Sequence, residues 1–313
     1  MTVLDLVPKS IIVGNKVKRF AAIDIGSNAI RLLVSQVSEY EKGVLFKKLS
    51  LVRVPIRLGE DVFETGEISK DKIQKLIDAI TGYNYLLSAY DVLDVRACAT
   101  SAMREAENGK EVIDLIKKET GITIEIISGE KEAAIIFDAG LSSLVDLEKT
   151  YLYIDVGGGS TEITLFSEGN VLNSKSFKIG TVRLLKNKVE EEEWQCLKQW
   201  LIENLKKHKI EYAIGSGGNI NKLIKLVPDN KKKDMFINYD ELEILHRDLA
   251  GLSVEERMEK YALKSDRADV ISIATNIFLT IMNCSKIDKV LVPKFGLADG
   301  LVRNLYKDSL LDE

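Results

Sequence analysis

Two segments of this chain carry residues whose types and spacing suit phosphate chemistry. The first reads Phe20-Ala-Ala-Ile-Asp24-Ile-Gly26-Ser27-Asn28-Ala29-Ile-Arg31, the second Tyr151-Leu-Tyr-Ile-Asp155-Val-Gly157-Gly158-Gly159-Ser160-Thr161-Glu162. In each, an apolar strand delivers an Asp, a Gly follows two residues later, and small polar residues lead into a second apolar strand. Glycines let a turn bring backbone N–H groups close to a phosphate because no Cβ intervenes. Two such turns facing each other would grip a phosphoanhydride from both sides. Glu162, two residues into its strand, joins Asp155 as a second carboxylate of the kind that holds Mg²⁺, a cation that takes oxygen ligands and retains waters.

A third turn, Gly215-Ser216-Gly217-Gly218-Asn219, follows an apolar strand and precedes a helix, the arrangement that makes an anion site from orphan N–H groups and the helix dipole. In Ser128-Gly-Glu130-Lys-Glu132, Ser128 is a helix N-cap, and the two Glu lie in the first turn. Acidic residues there are ordinary dipole partners, and either one, if aimed into a cleft, could activate water. Arg31, Arg104, Arg183 and Arg267 each sit beside a glycine turn or a helix start, suited to bidentate phosphate contact or to surface ion pairs.

These residues need a scaffold, and the chain is long enough to build one. At 313 residues, 45% hydrophobic and 29% charged, it has the composition of a globular protein of about two domains. The net charge of −4 argues against a nucleic-acid binder and leaves room for a basic cleft. No apolar run of the roughly 18 to 20 residues needed to span a bilayer is expected, nor a secretory signal at Met1 to Ser10. Cys98, Cys196 and Cys284 lack metal-site spacing and suit reduced thiols, so a cytoplasmic location is expected. His208 and His246 are the only histidines and fit no metal-ligand pattern.

Strands are expected near 18–25, 30–38 and 44–54, a helix over 70–89 capped by Ser69, a strand at 94–99, helices to 119, a strand at 122–127 and a helix over 130–143. The order then repeats: strands near 151–156, 161–166 and 171–178, a helix over 189–207, a strand at 212–215, mostly helix to about 286, and a late strand at 290–292. A three-strand meander followed by alternating helix and strand therefore occurs twice, which implies two similar α/β domains, 1–143 and 144–297, with a cleft between them. A helix from about 298 to 313 is expected to pack back on the first domain.

Taken together, Ala22-Ile-Asp24-Ile-Gly-Ser-Asn28, Ala99-Thr-Ser-Ala-Met-Arg104, Ile127-Ser-Gly-Glu-Lys-Glu132-Ala, Ile154-Asp155-Val-Gly-Gly-Gly-Ser-Thr-Glu162, Gly215-Ser-Gly-Gly218 and Arg267-Ala-Asp-Val270 resemble the exopolyphosphatase/guanosine pentaphosphate phosphatase (Ppx/GppA) family in its short two-domain form, from Phe20 to about Tyr306. The resemblance implies two ribonuclease H-like domains of the actin/Hsp70/sugar kinase superfamily, with the active site in the interdomain cleft. It assigns Glu132, not Glu130, as general base. It makes Asp155 and Glu162 metal and water ligands, and Asn28, Arg104, Gly157, Gly158 and Ser160 phosphate contacts. To these the residues themselves add Asp24, Gly26, Ser27, Arg31, Gly159, Thr161, Gly217, Gly218 and Arg267. Three positions depart from the family pattern: Ala29 replaces a Ser, Asn219 a Thr, and Ala298 an Arg.

The implied activity is Mg²⁺-dependent release of terminal orthophosphate from polyphosphate. The alternatives are removal of the 5′ γ-phosphate from pppGpp, an actin-like ATPase or kinase, and a sensor that binds polyphosphate or (p)ppGpp without cleaving it. No nucleic-acid or membrane partner is expected, and a homodimer is a further expectation.

Overall fold

The meander Val17–Ile25 (β1), Ile30–Tyr40 (β2) and Gly43–Val54 (β3) is antiparallel, and Asp94–Ala99 (β4) and Ile124–Ile126 (β5) join in parallel on the other side of β1, giving the order β3-β2-β1-β4-β5. The structure is a computed structural model, and it describes residues 17–40, 43–138, 145–227, 235–293 and 295–311. Strand β1 lies mid-sheet with both faces covered, so Ala21, Ala22, Ile23 and Ile25 are all buried and its sequence reads as an unbroken apolar run. Helices Leu58–Thr65 (α1), Lys70–Ala89 (α2), Ser101–Glu105 (α3), Gly109–Thr120 (α4) and Gly129–Asp138 (α5) complete this half. Ser69 caps α2 by accepting the Lys72 N–H, and Leu76, Ile80 and Tyr83 form its buried stripe.

The second half repeats the plan. Thr150–Val156 (β6), Thr161–Ser167 (β7) and Asn170–Phe177 (β8) form a second antiparallel meander. After Thr181–Leu185 (α6) and Glu191–Leu205 (α7), Ile210–Ser216 (β9) pairs in parallel with β6, and Gly217–Leu226 (α8) follows. Then come Phe236–Asn238 (β10), Tyr239–Ala250 (α9), Val254–Tyr261 (α10), Ser265–Ala268 (α11), Ile271–Ser285 (α12) and Lys289–Leu291 (β11). The sheet order is β10-β11-β9-β6-β7-β8, so β8-β7-β6-β9-β11 reproduces the first sheet and β10 is an added edge strand. This duplication gives the two similar α/β halves that the repeated meander implies.

Leu297–Ser309 (α13) returns to the first half and packs on β1, β2, β4 and α5. Its Leu301, Leu305 and Tyr306 join a core that includes Phe20 and Leu33 of the first sheet and Tyr153 and Phe166 of the second. The expectation that no segment has the length and apolarity of a membrane span needs one correction. Ser265–Ser285 reaches both, with a mean hydropathy of 1.3. Ile271, Ile277, Phe278, Ile281 and Met282 of α12 sit in the core of the second half, however, where a strongly apolar helix is required.

Two short helices, α1 and α6, have no counterpart in the sequence reading. Helix α1 is entered through Arg57 at φ 59° rather than through a Ser, Thr, Asp or Asn cap, so it carries no start signal. The expected helix end at 139–143 and the first residues of the expected domain junction lie outside the described residues.

Candidate active site

The first two glycine turns cap their hairpins in the same way. The Gly26 N–H donates to the Ala29 carbonyl (3.1 Å), and the Gly157 N–H to the Ser160 carbonyl (2.9 Å). The two turns touch one another across the cleft. A Cβ on Gly158 would lie 3.0 Å from Ser27 Cβ, and one on Gly159 would collide with the Phe63 ring and Ser101 Oγ. Gly158 and Gly159 are therefore required by contact between the two halves of the chain, which widens the ligand-only reading made from sequence.

The pleats carry two rows of side chains into the cleft. In the first sheet Asp24 stands opposite Arg31, and Arg31 opposite Arg53. In the second, Ser216 stands opposite Asp155, Asp155 opposite Glu162, and Glu162 opposite Ser176. Because cross-strand partners project to the same face, the first row is a cationic wall and the second an acidic one. Arg31 Nη1 lies 2.8 Å from Asp24 Oδ2, and Arg53 Nη2 lies 2.5 Å from Asp266 Oδ2. Arg267 completes the cationic side, its Nη1 donating to the Gly218 carbonyl (2.6 Å) and to Asn219 Oδ1 (3.2 Å). Burial, then Arg53 and Arg31, lowers the Arg267 pKa to about 10, so it stays charged at neutral pH among like charges.

Helix α5 brings a third carboxylate. Ser128 accepts the Lys131 N–H (3.2 Å) and so fixes the first turn. Glu132 then faces the cleft, whereas Glu130 is exposed and lies outside it. Burial, followed by repulsion from Glu162, Asp155 and Asp24, holds the Glu132 carboxyl well above the usual range, and Arg104 opposes this. Burial and Glu162 push Asp155 up to about 7. Burial also raises Glu162, against the hydrogen bonds donated by Ser160 (2.6 Å) and Ser176 (2.9 Å) to its Oε1. Gly217, at φ +88°, closes this side, since a Cβ there would strike Asp155 Oδ1.

The Ppx/GppA phosphatase family model matches residues 35–308. The chain belongs to that family. It is 32% identical over 281 residues to the bifunctional 3-dehydroquinate synthase/phosphatase of Fusobacterium nucleatum, covering 85% of this chain but only 39% of that protein. It is 28% identical to exopolyphosphatase 2 of Mycobacterium tuberculosis, covering 92% of this chain and 98% of that one. Among solved structures, the Aquifex aeolicus Ppx/GppA family member superposes with a TM-score of 0.73 at 28% identity, covering 94% of this chain and 99% of the other.

In this Ppx/GppA protein the two walls and three turns enclose a cavity of about 90 Å³. Asp24, Gly26, Ser27, Asn28 and Arg31 line it from the first domain. Asp155, Gly157, Gly158, Gly159, Ser160 and Glu162 line it from the second, as do Gly217, Gly218 and Arg267; Glu132 closes it from α5. Two expected contacts are absent from its wall. Arg104 instead donates to the Ile127 carbonyl (2.8 Å), anchoring the approach to α5, and Thr161 Oγ1 donates to the Ile179 carbonyl (2.6 Å). Arg183 is likewise engaged away from the cavity, paired with Glu105.

Arg53, Ser101 and Thr181 line the cavity without having been expected there. The buried Thr181 hydroxyl makes no hydrogen bond among the described residues, and neither does the buried Asn28 Oδ1, so both remain available to a ligand. Arg53 could be found only by counting the β2–β3 register, which slips at Val34/Ser35.

The cavity opens into a groove of about 570 Å³. Arg31, Arg53 and Arg267 stand at the junction, and Lys48, Lys222, Lys225 and Lys264 line the groove beyond. Burial, then Lys225 and Arg267, lowers the Lys222 pKa, as expected where cations crowd.

Proposed function

We propose that this protein is an exopolyphosphatase, releasing orthophosphate from the end of inorganic polyphosphate. The observation that carries the reading is the small cavity held between three guanidiniums and four carboxylates, opening into a lysine-lined groove. Its volume suits one phosphoryl group, and the groove offers cations to a substrate charged along its whole length. Membership of the Ppx/GppA phosphatase family and similarity to a protein named exopolyphosphatase 2 over nearly its full length support the same chemistry.

Arg31, Arg53, Arg267 and the turn N–H groups hold the terminal phosphoryl oxygens and offset charge as it develops. Glu132, its pKa raised, takes the proton from the attacking water. Mg²⁺ fits the acidic wall. Asp155 and Glu162 are adjacent oxygen donors whose mutual repulsion a cation would relieve. No group of three or more His, Cys, Asp or Glu poised around one metal occurs among the described residues, so water and phosphate oxygens would complete the shell, as Mg²⁺ commonly requires. When bound, Mg²⁺ supplies Lewis-acid stabilisation of the phosphoryl group.

The test is phosphate release with Mg²⁺ from long polyphosphate, tripolyphosphate, pppGpp and ATP by the parent and by Glu132→Gln. The expected result is release from polyphosphate, reduced roughly 10²- to 10⁴-fold in the variant, the usual weight of a general base. Release from pppGpp alone would replace the substrate assignment, and binding without release from any of the four would overturn the enzyme reading.

A further inference from the structure

We propose that Ser176 is a positioning residue for Glu162, holding that carboxylate at the angle at which the acidic wall works. The inference rests on the phosphohydrolase reading above.

Ser176 is the last member of the row Ser216–Asp155–Glu162–Ser176. Glu162 is buried, with a relative exposure of 5%, and two hydroxyls converge on its Oε1: Ser160 at 2.6 Å and Ser176 at 2.9 Å. The two donors differ in what carries them. Ser160 ends the glycine turn, where the phosphate is expected, so its position is tied to that turn. Ser176 stands on β8, an edge strand outside the turn, and fixes the same oxygen from the sheet itself. With both donors in place the carboxylate cannot rotate about its last bond without losing a charge-assisted hydrogen bond.

The helix that carries Glu132 rests on this pair. A Cβ on Gly129 would lie 2.8 Å from Glu162 Cγ and 3.3 Å from Ser176 Cβ, so the start of α5 is seated directly over Glu162 and Ser176. Ser176 thus touches both parts whose spacing matters, the second carboxylate and the helix that presents the first. Ser176 is an exposed residue, so little apolar burial depends on it. The corresponding place in the first sheet is taken by Arg53, which lines the cleft itself.

Ser176→Ala and Ser176→Thr should be compared with the parent for phosphate release from polyphosphate, together with a crystal structure of the Ala variant. The expected result is a roughly 10- to 100-fold lower kcat for the Ala variant, the factor corresponding to one hydrogen bond to a charged group. KM should change little, and Thr, which keeps the hydroxyl, should recover most of the loss. An unchanged kcat would overturn the assignment, as would a loss accompanied by an equal rise in KM and a lower Tm, the pattern of structural damage. A parent inactive on every phosphate ester and anhydride tried would sink the phosphohydrolase reading instead. The crystal structure would then decide on Ser176 alone: a rotated Glu162 carboxylate in the Ala variant upholds its role, and an unmoved one refutes it.

Discussion

Arg31 and Glu162 hold equivalent places in the two halves of the fold. Each stands directly across the hairpin from the Asp near the end of the first strand, Asp24 in one sheet and Asp155 in the other. The same backbone frame therefore presents a cation on one wall of the cleft and an anion on the other. Arg31 also forms the ion pair with Asp24, so its removal both takes a guanidinium from the cavity and leaves a buried carboxylate unpaired. Arg31→Ala should lower kcat/KM about 100-fold or more, while Arg31→Lys, which keeps charge but not the planar fork, recovers only part of it. Full recovery by Lys in steady-state kinetics would show that charge alone matters there.

The carboxylate cluster predicts an acid limb displaced toward neutrality. Turnover needs an ionised base, and Glu132 and Asp155 both bind protons more tightly than free carboxylates. Activity should thus fall as pH drops through about 7 rather than through the ordinary carboxylate range, with apparent values that belong to the cluster as a whole. A cation competes with protons for the same oxygens, so raising Mg²⁺ should move this limb to lower pH, and Asp155→Asn should blunt that response. A pH–rate profile insensitive to Mg²⁺ would remove Asp155 from metal binding.

Stability should move the opposite way. Asp155 has a folded-state pKa of about 7, raised from 3.8, so the stability linked to its proton is fully present below the lower value and is lost as pH rises through the upper one. Without Mg²⁺ or substrate, Asp155→Asn should melt above the parent at pH 8, by about 5 °C for a protein of this size. The difference should shrink toward pH 4. Scanning calorimetry in EDTA at the two pH values checks the sign.

The groove predicts dependence on chain length. Lys222, Lys225 and Lys264 lie beyond the terminal cavity, where only a substrate with a long anionic tail reaches them. The triple Ala variant should raise KM for long polyphosphate several-fold to tenfold and flatten its salt dependence, because removing these cations weakens a screened attraction. Tripolyphosphate kinetics should barely change. Equal effects on both substrates would place these lysines elsewhere in the reaction.

Much of this was legible in the chain itself, for a physical reason. Asp24, Asp155 and the glycine turns are local signals, since a turn's geometry is written in adjacent residues, and their duplication announced the paired sheets. Arg53 and Ser176 are as close to the chemistry, yet nothing beside them in sequence marks them. Cross-strand register puts Arg53 in the cleft and Ser176 on the Glu162 carboxylate, and that register is altered by bulges at Val34/Ser35 and Leu165/Phe166. Arg104 and Arg183 show the opposite case, motif neighbours that do not line the cavity. Both lie beside motif residues, but their guanidiniums turn to protein partners, Ile127 and Glu105, that no local pattern could reveal.

That second arginine carries the last prediction. Arg183 is buried, makes two hydrogen bonds to Glu105 (2.8 and 2.7 Å), donates through Nε to the Gly159 carbonyl (2.8 Å) and stacks over Phe63 at 3.9 Å. Glu105 and Phe63 belong to the first half of the chain and Gly159 to the second, so a single side chain ties the triple-glycine turn to the opposite domain. Arg183 is buried whereas the Glu105 side chain is 26% exposed, so removing the arginine leaves a partly solvated carboxylate unpaired, at a cost of about 1–3 kcal/mol. Arg183→Ala should therefore lower Tm by several degrees and, by freeing the turn from its seat against Phe63 and Ser101, reduce kcat as well. Pairing it with Glu105→Ala should cost less than the two single losses combined, since the second change removes the charge that the first left exposed. Strictly additive losses in a double-mutant cycle would mean that the two side chains act independently and that the domains are held together by other contacts.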